Sequence, residues 1–101
     1  MKIKKIDDIR RDLMIFKEYD VLLFGSYLEE ENEMASDIDV AILSHTKEKE
    51  KNQQLFMNFL GLVHPIYDIN VFESLPMKIK ASILRNYHVL CITNVFPYKR
   101  F

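Results

Sequence analysis

The chain has 101 residues, about half of them aliphatic or aromatic and 29% charged, with a net charge of -1. That profile belongs to a globular protein and excludes a disordered chain, and the length suits one modest core, burying roughly 65% of the unfolded surface, with no second domain. The near-neutral balance supplies no global basic field, so nucleic acid is not the expected partner. No apolar run approaches the ~20 residues needed to cross a bilayer, and no membrane partner is expected. Cys91 is a lone cysteine, and the start "MKIKKIDDIRRD" has charges where a signal peptide needs an apolar centre. A cytoplasmic location follows as the expectation.

Along the chain the hydrophobic period changes several times. Residues 6 to 19 place Ile6, Ile9, Leu13 and Phe16 on one helical face, with Asp7 and Asp8 where the helix dipole favours them. "DVLLFGS" is short, apolar and closed by Gly25, so it reads as a buried strand; "IDVAILS", 38 to 44, repeats the signature and is expected to pair with it. "HTKEKEKNQQLFMNFLGLV" begins as a solvated charge run and turns apolar at Leu55, Phe56, Phe59, Leu60 and Val63, which predicts a second helix packed through its later turns and weakened by Gly61. "PIYDINVFESL" predicts a third strand. Pro76 then opens a third helix through Ile79, Ile83 and Leu84, and "HVLCITN" predicts a fourth strand. The expected fold class is α/β (α+β), a small mixed sheet of about four strands with about three helices, in a single domain over residues 1–101. The tail 95–101, with Phe96, Tyr98 and Phe101, is either flexible or packs on the core or a partner.

Side chains alternate across a strand, so Asp37 and Asp39 project to one face about 7 Å apart, while Ile38 and Val40 point the other way. A lone Asp-x-Asp also suits an exposed strand edge. A third acid, Asp68, stands at the front of another predicted strand between apolar neighbours, and three carboxylates at one end of a sheet make an oxygen-rich site suited to magnesium. Gly25 and Ser26 supply a turn in which backbone N–H groups and a hydroxyl can approach a phosphate. The informative feature is the combination: a strand, Gly25-Ser26, ten residues from Tyr27 to Ser36, Asp37-x-Asp39 on the next strand, then Asp68.

On these residues the sequence resembles the DNA polymerase beta-type nucleotidyltransferases, and specifically their minimal single-domain members, from Val21 to about Asn94. The resemblance implies that Gly25 and Ser26, with Ser36, hold the nucleotide of ATP. It implies that Asp37, Asp39 and Asp68 are catalytic and bind two magnesium ions, Asp68 being placed to activate the attacking hydroxyl. It also implies AMP transfer to a hydroxyl of a partner protein, the partner being a HEPN-type ribonuclease toxin and this chain its antitoxin. The alternatives are a non-catalytic antitoxin that masks its partner, and nucleotidyl transfer to a nucleic acid or small molecule. The chain departs from the family pattern after Ser26: where a basic residue and a glycine are usual it has Tyr27, Leu28, Glu29 and Glu30, within a segment that also carries Glu31 and Glu33. Those charges either point to solvent or repel a triphosphate. His45, His64 and His88 lie far apart and form no metal-ligand spacing with Cys91, and Lys47, Lys49 and Lys51 read as a solvated helix start.

Overall fold

The computed structural model describes residues 5–28 and 37–90. Ser36, the glutamates between residues 29 and 33, Cys91 and the aromatic tail lie outside the described residues, so the expectations placed on them are not addressed by the fold. Among the described residues three α-helices and four strands follow in the order α1 (Ile6–Asp12), β1 (Asp20–Phe24), β2 (Ile38–Leu43), α2 (Lys49–Phe59), β3 (Tyr67–Val71), α3 (Met77–Arg85) and β4 (Tyr87–Val89). The strands form one sheet in the order β3-β2-β1-β4. β1 runs antiparallel to β2 and β4, and β2 runs parallel to β3. This is the mixed four-stranded α+β arrangement expected from the sequence, including the pairing of the first two strands.

The alternation along β1 and β2 divides the core into two layers. Val21 and Leu23 with Ile38, Val40 and Ile42 face α1 and the second half of α2, where Ile9, Leu13 and Phe16 are buried and Leu55 and Phe59 pack. Leu22 and Ala41 face the other way and meet Ile83 of α3, with Phe24 and Leu43 beside them. The two central strands are therefore covered by apolar side chains on both faces except near the start of β2, where Asp39 occupies a position on the α3 side.

Local chemistry moved several boundaries. The first helix ends at Asp12 rather than continuing to residue 19, and a 3-10 turn, Met14–Phe16, follows. In a 3-10 turn residues three apart lie on one side, so Leu13 and Phe16 stay inward and Phe16 meets Phe59 edge-on at 4.8 Å. The second helix stops at Phe59; Gly61 adopts φ +87° just beyond it, and Leu60, expected in the packed face, is 61% exposed. The third helix starts one residue after Pro76 and buries Ile83, whereas Ile79 and Leu84 remain exposed, because only one stripe of so short a helix reaches the sheet. Of the predicted final strand, the described part is Tyr87–Val89, one residue earlier than expected at its start, with Leu90 buried next to it.

Candidate active site

The sheet register brings two of the predicted acids together. Asp39, second residue of β2, is the ladder partner of Phe24 on one side and of Asp68 on the other. Residues in register on adjacent strands share a face about 4.8 Å apart, so the carboxyl groups of Asp39 and Asp68 come within hydrogen-bonding reach of each other. Burial, the charge and hydrogen bond of Asp68, and the charge of Asp37 together push the Asp39 carboxyl up to about 6. Asp37 lies just outside β2 and is exposed, adding its charge from two residues away. A carboxyl held this far above its ordinary value lacks compensating positive charge.

Gly25 closes the site from the β1 side. It ends the strand at φ +75°, a conformation that disfavours any side chain. A β-carbon built there would also fall 2.1 Å from Asp39 Oδ2. The glycine is required on both counts, and the second is specific to this site, since the Asp39 carboxylate rests against the Gly25 backbone. Ser26 follows in a 3-10 turn, Gly25–Leu28, and is half-buried. Of the predicted site residues, Gly25, Asp39 and Asp68 therefore form one structural unit, with Ser26 next to it in the chain.

Two tyrosines absent from the sequence-based site list anchor that unit from the opposite face of the sheet. Tyr67, immediately before Asp68, donates its hydroxyl to Asp12 Oδ2 at 2.5 Å, tying the start of β3 to α1. Burial, the hydrogen bond to Asp12 and the nearby acids raise its pKa. Tyr27, immediately after Ser26, is buried in the same core and has its pKa raised by burial and then by Asp8. For Tyr67 the available signal was strand parity, which turns the residue before Asp68 to the opposite face; Tyr27, in a 3-10 turn, offered no such signal.

Two of the histidines have partners within the chain. His45 Nε2 contacts Asp20 at 2.8 Å, and His64 Nδ1 accepts the Ile66 N–H at 3.0 Å. Among the described residues no three His, Cys, Asp or Glu side chains are gathered tightly enough to hold a metal by themselves. The donor set present is nonetheless suitable for magnesium. Two touching carboxylates with a third acid nearby match an ion that takes one or two carboxylates and fills its remaining positions with water and phosphate oxygens.

A mixed sheet covered by helices, with a glycine turn folded against a strand-borne acid and a second acid in register, defines a nucleotidyltransferase-like protein. The comparisons agree. Residues 12–95 match the family described as "Polymerase beta, Nucleotidyltransferase", and the chain belongs to that family. It is also 34% identical over 74 residues to "Putative protein adenylyltransferase MJ1547" of Methanocaldococcus jannaschii, an alignment covering 73% of this chain and 56% of that protein. The chain thus spans about half the length of that relative. No solved structure matches. Among the described residues no helix is long and apolar enough to cross a membrane.

Proposed function

We propose that this chain transfers AMP from ATP to a hydroxyl group of a partner protein, and that residues 1–101 act as one domain in doing so. The observation that carries the reading is the register pairing of Asp39 with Asp68 beside the Gly25 backbone. The relative's name, which describes a protein adenylyltransferase, favours a protein acceptor.

In this reading Gly25 lets the Asp39 carboxylate lie against the turn, and the backbone N–H groups of the Gly25-Ser26 turn approach the triphosphate, with the Ser26 and Ser36 hydroxyls as further donors. Magnesium, two ions held by Asp37, Asp39 and Asp68, would neutralise phosphate charge and stabilise both the entering and leaving oxygens. Asp68, exposed at the start of the edge strand, takes the proton of the attacking hydroxyl. A bond forms between that oxygen and the α-phosphorus, the bond from this phosphorus to the bridging oxygen breaks, and pyrophosphate leaves. The partner is a HEPN-type ribonuclease toxin, which makes the chain a cytoplasmic antitoxin.

Weighing both proteins by mass spectrometry after incubation of this chain with ATP, magnesium and the product of its neighbouring gene tests the reading. The partner should gain the mass of one or more AMP units, and changing Asp37 and Asp39 to Asn should erase the gain. A partner that stays unmodified while co-eluting with this chain and losing its own activity would establish a non-catalytic binding antitoxin instead.

A further inference from the structure

β3 is an edge strand whose outer side has no neighbouring strand among the described residues. The Ile38 N–H donates to the Ile66 carbonyl at 2.8 Å. In a parallel ladder the residues that bond inward alternate with those whose N–H and C=O face outward. Asp68 and Asn70 therefore turn their amides toward β2, and Ile69 turns its N–H and C=O to the open side.

Two hollows flank this edge, both against α2. One, of about 360 Å³, is lined by Phe59, Leu60, Val63 and Asp68; the other, of about 490 Å³, is lined by Asn70, Leu75, Lys47 and Lys49. Phe56 lines both, so the two hollows adjoin as a trough divided at Phe56, with Asp68 of the candidate site in one part and the two lysines in the other. Neither lysine takes part in a salt bridge among the described residues. Glu73, which also lines the lysine end, has its carboxylate turned to the backbone N–H groups of Ser44 and His45.

We infer that this trough docks an extended segment of the acceptor protein as an added strand along β3, with a hydroxyl-bearing residue at Asp68 and acidic residues at Lys47 and Lys49. The inference rests on the transfer reading for the role of the hydroxyl, and it names the class of acceptor: a strand-forming peptide segment. Three physical features select this occupant. An open ladder edge binds extended backbone, and main-chain hydrogen bonds supply much of the affinity. The apolar floor at Phe56 accepts one face of such a strand. The lysines fix polarity, because they line the same hollow as Val71, which lies about 10 Å along the strand from Asp68 at ~3.3 Å per residue. The acidic residues should therefore stand about three to five positions from the hydroxyl.

The test uses the full chain and short synthetic peptides rich in Val and Thr. Each carries one Tyr and a pair of Glu residues at that spacing, in either chain direction, with matched peptides bearing Lys in place of Glu. Amide hydrogen exchange followed by NMR should show slowed exchange at Ile69 with the Glu peptides. The Lys peptides should bind about tenfold more weakly, as two partly exposed ion pairs would give. The double variant K47E/K49E should reverse that preference. Unchanged exchange at Ile69 with every peptide at millimolar concentration, or equal binding of Glu and Lys peptides, overturns the docking inference. Adding ATP and magnesium separates the two readings. AMP on the peptide Tyr without Ile69 protection leaves transfer standing and overturns docking, whereas Ile69 protection without AMP supports docking and counts against transfer.

Discussion

The sheet carries a polar cluster at each end, and the two treat their acids in opposite ways. At the end where β1 leaves and β2 and β3 begin, Asp39 faces Asp68, with Asp37 close by, and its pKa is driven up to about 6. At the other end Glu73 is also drawn inward by burial, which raises its pKa, but N–H groups of Ser44 and His45 and the Ser44 hydroxyl lower it further than burial raises it. Its two oxygens accept from the Ser44 N–H at 2.9 Å and the His45 N–H at 2.8 Å, while buried Asn52 bonds the Ser44 hydroxyl and the Thr46 carbonyl. A carboxylate satisfied by donors holds a loop in place. A carboxylate set against other carboxylates is left with charge for a cation to satisfy.

The largest expected effect lies at the unsatisfied end. On the proposed function, Asp39→Asn should lower transfer by about a hundredfold or more, because losing a metal ligand would forfeit several kcal/mol of transition-state stabilisation, while the fold is kept; circular dichroism with an AMP-transfer assay checks both parts. At the satisfied end the outcome should invert. Glu73→Ala should cost about 2–3 kcal/mol in chemical denaturation by orphaning donors that bond a charged group. Next in size is Gly25→Ala, with about 1–2 kcal/mol lost to the left-handed backbone alone and the ATP-dependent rise in melting temperature lost as the new methyl displaces Asp39. A variant that keeps the rise would show that the Gly25–Asp39 contact does not shape the nucleotide site.

The smallest effects are in pH dependence, and their signs differ between the ends. Native Asp39 keeps its proton to about pH 6, whereas the unfolded chain releases it near 3.8. The native state therefore binds more protons within that window, so this group makes stability fall as pH rises through it. Glu73, lowered in the native state, contributes stability above its unfolded value of about 4.5 that is lost as pH falls through its native one. Melting curves from pH 3 to pH 8 should show the falling limb removed in Asp39→Asn and the acid loss reduced in Glu73→Gln.

The particular residues show which parts of this were legible in the sequence. Alternation correctly put Asp39 on the face opposite Ile38 and Val40, whereas Asp37, expected on the same strand, lies just outside β2. The convergence of Asp39 and Asp68 was expected, but their direct pairing was not derivable, because it depends on β2 and β3 being adjacent, parallel and in that register. The same holds for the Gly25–Asp39 contact, which joins two strands through an antiparallel ladder. The early end of α1 escaped notice because Leu13 and Phe16 satisfy both a helical and a 3-10 spacing. Leu60 looked like core because its hydrophobicity is visible and the break before Gly61 is not. Glu73 stood out in no pattern, since its role depends on a loop that starts 29 residues earlier.

The central claim is that the acid pair beside Gly25 is a site for a nucleotide brought by a divalent cation. Isothermal titration calorimetry of the chain with ATP, in the presence of magnesium and then of excess EDTA, tests it most directly. The account predicts saturable binding with magnesium, none with EDTA, and none with magnesium for Asp39→Asn. Equal binding in both conditions, or no binding in either at millimolar ATP, would contradict it.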